Sequence, residues 1–429
     1  MRIIISKAAG ARPDRTCCRP ACGVPSGTSR RDRIARITAG MNDPFDGRAR
    51  LPRRTFTGAA IAMLATPPTF ARATTMATTV DADAATRLSR PRLIAPGGAV
   101  CVEGVDELVG EIHFACPAGE PSPTALRLLE ADRDGRDDRG DTFAEFEDAA
   151  LTRRLARIDD DRIVIHVELR SRPGRPLPSR LLPILARGPD REIRGDVLAV
   201  PAQGVTVFGP PLRDGLWVAI HDPAWARGHR RVGFQQTDRW TIPGRHAIDF
   251  VQVDAEGRIA RGDADRPANH FGYGAPVLAV ADGVVSATRN DMTETTSIAG
   301  NRRHPLIDAP GNHVVLSLAG GGHVFYEHLR PGSLTVRPGD RVRQGQVLGA
   351  LGFSGDSTGP HLHLHLSDEC VPNTGEGLPF VFERFERLGG YDDLATLGRA
   401  SWQSAPEGEA LTRLREKPAS HRVIRFTAA

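Results

Sequence analysis

Three histidines fall within five residues at His361-Leu362-His363-Leu364-His365, directly after Gly359-Pro360. Side chains of an extended segment alternate between faces, so the three imidazoles share one side while Leu362 and Leu364 point into a core. Neutral imidazole binds zinc-like metals and exchanges protons near neutral pH; two rings on one face can share a metal or act as ligand and acid–base group. The chain has 14 histidines in 429 residues, so three in five positions is a concentration that a plain polar strand face does not explain. Further donors lie upstream: Asp249 in Arg245-His246-Ala247-Ile248-Asp249-Phe250, His229 in Gly228-His229-Arg230-Arg231, and His328 in Tyr326-Glu327-His328-Leu329.

The elements that must position these groups read as strands. Residues 275–285 read as strand, tight turn, strand. Residues 313–318 and 323–328 form two more, joined by the hairpin loop Ala319-Gly320-Gly321-Gly322. Residues 336–342 and 346–352 continue the pattern, and helical periodicity is nearly absent between 271 and 366. Upstream, apolar runs at 99–102, 108–114, 162–169 and 197–200 are separated by Pro, Gly and charged turns, which predicts a smaller β-rich domain over 91–207. The expected class is all-β: an antiparallel β-sheet domain over 208–388 preceded by that smaller domain. Residues 379–385 alternate like a last strand, and 389–429 is expected to be a loose polar tail. The charged stretch 130–141 lacks Asp-x-Asp-x-Asp-Gly spacing and is interleaved with arginines, so it reads as a solvated loop rather than a calcium site.

The amino-terminal region has a different character. Arg53-Arg54-Thr55-Phe56 precedes a short apolar run over 57–66 and then Ala71-Arg72-Ala73, the order of a charged region, an apolar region and a small-x-small cleavage site. Residues 1–73 are therefore expected to be an export signal resembling the twin-arginine type, with Met41 as an alternative start and 74–90 as a linker. The apolar run is well short of the roughly 20 residues that span a bilayer, so no transmembrane helix is expected. Export to a periplasmic or extracellular compartment would permit Cys101 and Cys116 to pair.

Gly359-Pro360-His361-Leu362-His363 after Ser354-Gly355-Asp356-Ser357-Thr358, the Tyr326-Glu327-His328-Leu329 segment, the strands around Gly274-Ala275-Pro276-Val277 and Ala281-Asp282-Gly283-Val284-Val285, and Arg337-Pro338-Gly339-Asp340-Arg341-Val342 together resemble the lysostaphin/LytM-type zinc endopeptidases. The resemblance covers roughly 229–366. It implies a LytM-like fold, a bound zinc ion and a peptide cross-link of peptidoglycan as substrate. Carried over by motif, His363 is a zinc ligand, and His361 and His328 polarise the attacking water and stabilise the developing oxyanion.

The family's other two ligands come from a His-x-x-x-Asp motif, and here the chain departs from it. Asp249 is present, but the position four before it is Arg245, and the histidine, His246, stands three before. Residues three apart on a strand face opposite sides, so His246 reaches the metal only through a local bend or bulge. Arginine is permanently charged and has no lone pair to offer a metal. The first ligand is therefore His229 or His246, with His270 and His304 as more remote sources. Arg245 also motivates a second reading: a catalytically degenerate relative that binds wall peptides or regulates a wall hydrolase.

Charge argues against a nucleic-acid partner. The chain carries 56 Lys+Arg against 52 Asp+Glu, but residues 1–73 hold 14 against 4, which leaves 42 against 48 in the remainder. Only Lys7 and Lys417 are lysines, which reflects composition rather than a phosphate-binding design. An aromatic content of 5% leaves little for a sugar-stacking platform.

Overall fold

The computed structural model of the chain describes residues 90–427 apart from 133–140, 201–203, 226–227, 237–238 and 409–410. The expected export signal, residues 74–89 of the expected linker and the centre of the charged 130–141 loop lie outside the described residues. The described chain is nearly all β, with one α-helix, Asp148–Thr152, and short 3-10 turns. No helix among the described residues is long and apolar enough to cross a membrane.

The first domain is a sandwich. One sheet orders Arg92–Ile94, Val105–Ala115, Arg162–Arg170 and Leu155–Arg157, with Val100–Val102 folded back on Val105–Ala115. The other orders Leu198–Ala199, Arg180–Ala186, Ala125–Glu130 and Thr142–Glu147, with Glu192–Arg194 on Arg180–Ala186. Leu108, Ile112, Ile165 and Val167 of the first sheet meet Leu126, Leu128, Leu181 and Leu185 of the second in one buried core, as alternation on facing sheets requires.

Cys101 and Cys116 do not pair; both thiols are free. Cys101 sits opposite Asp106 in the hairpin, and Cys116 follows the far end of the same long strand. Ten residues of extended chain rise about 33 Å, whereas a disulfide needs Cα atoms within about 7 Å.

The second domain is organised by a 13-stranded sheet. Its path runs Thr206–Phe208, Phe380–Gly390, Arg422–Arg425, Leu216–Ile220, Ile248–Val253, Leu362–Ser367, His323–Leu329, Asn312–Leu318, Gly283–Arg289 and Arg341–Val342. All pairings along it are antiparallel except that of Thr206–Phe208 with Phe380–Gly390. Ile248, Leu364 and Tyr326 are register partners across three neighbouring strands, and all three are fully buried. This apolar row, continued by Phe250, Leu362, Leu316 and Val324, is the core face on which the histidine strand rests.

Two local expectations change. Pro276–Leu278 and Gly283–Arg289 do not pair with each other: the former joins Val347–Ala350 in a separate two-stranded sheet, and the latter lies beside Asn312–Leu318. The segment from Gly389 is not a loose tail. Thr412–Glu416 pairs with Phe380–Gly390, and Arg422–Arg425 is inserted between Phe380–Gly390 and Leu216–Ile220. Val423 and Ile424 are fully buried and Phe426 nearly so, an apolar patch too short to stand out in a polar stretch.

Candidate functional site

Register builds the centre of the site. Asp249 lies opposite His363 on one side, and Glu327 lies opposite His363 on the other, so carboxylate, imidazole and carboxyl form a row across three strands. This row is on the face opposite the apolar one, because each member is one residue away from Ile248, Leu364 or Tyr326. His363 Nδ1 is 2.9 Å from Asp249 Oδ1, and its Nε2 is 3.0 Å from His365 Nδ1. His365 in turn stacks on Phe325, with ring centroids 4.5 Å apart.

His229 arrives from outside the sheet, on the 3-10 turn His229–Arg231. Its Nε2 lies 2.8 Å from Asp249 Oδ2, and its ring meets that of His363 edge-on at 4.6 Å. The turn packs against Pro243–His246, and Gly244 makes the approach possible: a Cβ there would come within 2.9 Å of His229 Cβ. One ligand atom each from His229, Asp249 and His363 lies within 4.8 Å of the others. Two imidazole nitrogens and one carboxylate are the donor set of an open three-ligand zinc site, so the residues present fit that metal.

His361 and His328 flank this group. His361 Nε2 is 3.5 Å from Asp249 Oδ1, and the His328 and His361 rings are 4.7 Å apart. His361 Nδ1 faces the Gly359 carbonyl at 2.8 Å, and His328 Nδ1 faces that of Ser354 at 2.8 Å. A carbonyl oxygen only accepts, so Nδ1 carries the hydrogen in both rings, which leaves Nε2 as the nitrogen that holds the lone pair in the neutral form of either ring.

His328 reaches the site through an irregularity. Simple alternation would put it with Tyr326 on the core face. Instead, Asn312 pairs with Leu329 and Val314 with Tyr326, which leaves one extra residue on the histidine's strand. His328 takes φ +61°, a left-handed conformation that is costly for a residue with a side chain and is found where function over-determines the backbone. Asn312 and Ser354 hold this bulge. Asn312 Nδ2 donates to Leu329 O at 3.3 Å, and Ser354 Oγ accepts from Asn312 N at 2.9 Å while donating to Leu329 O at 2.8 Å.

Electrostatics follow from burial and crowding. Burial opposes the Asp249 charge, but the neighbouring His229 and His361 and the hydrogen bonds from His229 and His363 hold its carboxyl well below the usual range. His229 moves the other way: burial disfavours its charge, yet Asp249 raises it above the ordinary imidazole value. Burial, with the charge of His229 next, lowers His363. Burial first, then His361 and His363, keeps His328 well below its usual value, so it is neutral at pH 7. Burial, against the pull of His229 and aided by Asp249, pushes the Glu327 carboxyl up to about 8.

The other expected donors lie elsewhere. His246 is not part of the group around Asp249; it is buried, its carbonyl accepts from Lys417 Nζ at 3.3 Å, and its Nε2 has no hydrogen-bond partner among the described residues. The reason is the 3-10 turn Pro243–His246, which ends immediately before the Asp249 strand and supplies no bulge to swing the ring round. His270 Nε2 bonds to Ala264 O and His304 Nε2 to Asn301 Oδ1. Arg245, at the place the motif reserves for a ligand, turns away and pairs with Glu111 and Glu376. Ser357 Oγ also lies 3.2 Å from His361 Nδ1. Sequence reasoning gives no site role to Glu327, Asn312, Ser354 or Ser357, although Glu327 adjoins His328 and the two serines stand in the segment that precedes the histidine strand.

Residues 269–373 match the family model described as Peptidase family M23. The chain carries a peptidase family M23 domain. The match takes in His328, His361 and His363 and begins after Asp249, so residues 245–249 lie outside it. The chain is 31% identical over 121 residues to the glycyl-glycine endopeptidase ALE-1 of Staphylococcus capitis, covering 26% of this chain and 29% of that protein. It is 37% identical over 93 residues to the peptidoglycan DD-endopeptidase ShyA of Vibrio cholerae, covering 22% of this chain and 17% of that protein. The chain thus spans less than a third of the length of either curated relative. Among solved structures, the catalytic domain of lysostaphin from Staphylococcus simulans aligns at 21% identity over 30% of this chain and 86% of that one, with a TM-score of 0.19.

Proposed function

We propose that the chain is an exported zinc-dependent endopeptidase that hydrolyses peptide cross-links of peptidoglycan, with His229, Asp249 and His363 as metal ligands. The observation that carries this reading is the convergence of those three donor atoms within 4.8 Å beside two further imidazoles. The M23 domain and the peptidoglycan-cleaving relatives support the reaction class and the substrate. Arg245, which motivates a non-catalytic reading, is engaged with Glu111 and Glu376 and does not enter the donor group.

Zinc in such a site supplies Lewis acidity, making water acidic enough to attack near neutral pH and drawing charge from the scissile carbonyl. The chain's own residues manage the proton. His328, neutral at pH 7, presents an Nε2 lone pair and begins as an acceptor for the proton of the attacking water, with the His361 ring 4.7 Å away beside the same site. The ring that takes it becomes an Nε2–H donor, able to stabilise the oxyanion and then to protonate the departing amine.

The purified chain should bind one zinc ion, release fragments from peptidoglycan and lose both properties on chelation. Zinc-free protein without turnover after zinc is supplied would sink the reading. The first ligand is tested separately: His229→Ala should lose zinc affinity, whereas His246→Ala should retain it.

Proton linkage offers another check. In the metal-free protein His229 is raised by Asp249, so the His229–Asp249 pair contributes stability that is fully present below the unfolded imidazole value of about 6.5 and is lost as pH rises through the raised one. Asp249 is depressed, so its share is fully present above the unfolded carboxylate value of about 3.9 and is lost as pH falls from there through its own low value. Zinc must displace the His229 proton, so apparent affinity should fall about tenfold per pH unit below the raised value. Calorimetry at pH 6 in buffers of different ionisation enthalpy should show release of close to one proton per zinc from this ring. Binding with no proton release at pH 6 contradicts the assignment of His229.

A further inference from the structure

The turn that carries His229 is three residues long and has no side-chain cap. Its neighbour Arg230 is what anchors it. Arg230 is 2% exposed, and its guanidinium is spent almost entirely on the first domain. Nε faces Glu111 Oε1 at 3.3 Å, Nη1 pairs with Glu168, and Nη2 donates to the carbonyls of Gly110 and, at 2.9 Å, Val167. Within its own domain, Arg230 Nη1 also donates to Pro223 O at 3.0 Å. Gly110 and Val167 are register partners, so the planar fork is seated on one rung of the ladder between Val105–Ala115 and Arg162–Arg170.

The second turn is tied to the same point. Arg245 Nη1 pairs with the other Glu111 oxygen, and Arg245 Nε holds Glu376 Oε1 at 3.0 Å. Glu111 is fully buried and also faces His166 Nδ1 at 3.4 Å. One carboxylate of the first domain therefore holds both turns of the second, and those turns meet at the contact between Gly244 and His229.

We propose that Glu111 is a positioning residue for the metal centre: through Arg230 and Arg245 it sets the two turns that hold His229 against Asp249 and His363. The inference rests on the reading of His229 as a metal ligand. Arg245, unable to bind a metal, instead fastens its own turn, the one against which the His229 turn packs, to the first domain. The metal centre is then a product of both domains, and the first domain is not a detachable module.

The test uses the full chain, with zinc affinity read by competition against a chromogenic chelator and ligand geometry read from the visible spectrum of the cobalt-substituted protein. Glu111→Gln removes the charge that both arginines share and should weaken zinc binding 10- to 100-fold, the range typical of lost outer-shell partners, with an altered cobalt spectrum. Leu126→Ala, in the first-domain core and away from the cluster, is the destabilised control and should leave affinity and spectrum unchanged. Should Glu111→Gln fail to fold, Arg230→Lys keeps the charge but loses the fork, and is expected to weaken zinc by about tenfold or more. Wild-type affinity in Glu111→Gln, or in Arg230→Lys where that variant carries the test, overturns the proposal while leaving the zinc reading intact. An equal loss in Leu126→Ala overturns it too, by showing that general destabilisation is enough. A wild-type chain that binds no zinc overturns the zinc reading and this inference together.

Discussion

Asp249→Asn is expected to weaken zinc binding by on the order of several hundred-fold and to abolish turnover. A structural zinc site in a small domain is worth about 10–16 kcal/mol, so one of three or four ligands accounts for about 3–4 kcal/mol, and each 1.4 kcal/mol is tenfold. Asp249 is the residue on which the site converges: His229 and His363 bond to separate oxygens at 2.8 and 2.9 Å, and His361 stands 3.5 Å away. The substitution keeps the shape but removes the negative charge that hydrogen-bonds to a protonated His229. The imidazolium then loses the partner that raises it, so the His229 titration followed by NMR should move down from its raised value. Zinc affinity within a few-fold of wild type would show that the carboxylate is not a ligand, and an unmoved His229 titration would show that the pairing does not form in solution.

Removal of residues 411–429 is expected to prevent the second domain from folding. Val423 and Ile424 are fully buried and Phe426 is 6% exposed. Burial of such side chains contributes about 1.5–3 kcal/mol each, so the three together are comparable to the roughly 5–15 kcal/mol of a whole domain. The strand that holds Val423 and Ile424 also pairs on both sides, and its loss would leave Phe380–Gly390 and Leu216–Ile220 with unpaired edges inside the sheet. Leu216–Ile220 is the direct neighbour of the Asp249 strand, so the damage reaches the site. Urea unfolding followed by circular dichroism checks this. A soluble truncated chain with an unchanged cooperative midpoint would mean that the tail is dispensable.

Much of the site was legible because it is written in local alternation. His361, His363 and His365 share a face, and Leu362 and Leu364 enter the core, for the reason that a strand repeats every two residues; the glycine-rich loop between residues 318 and 323 closes the adjacent hairpin. The motif around Arg245 likewise showed that the usual first-ligand position could not work. The same local logic could not choose between His229 and His246, since three residues of offset say nothing about where a turn 20 residues upstream will pack.

The tertiary structure decided the rest through contacts between residues far apart in the chain. Gly244 lets the His229 turn approach, and Arg245 finds its partner Glu111 134 residues away in another domain. The bulge at His328 comes from its pairing with Asn312–Leu318, and no property of residues 326–329 alone reverses their alternation. The segment after Gly389 reads as polar because a strand paired on both sides needs only a few apolar side chains to be buried. Periodicity records which face a residue takes along its own strand. Which distant strand or turn meets that face depends on packing the whole chain, and that packing brings His229 to Asp249, bulges the strand at His328 and inserts the last strand.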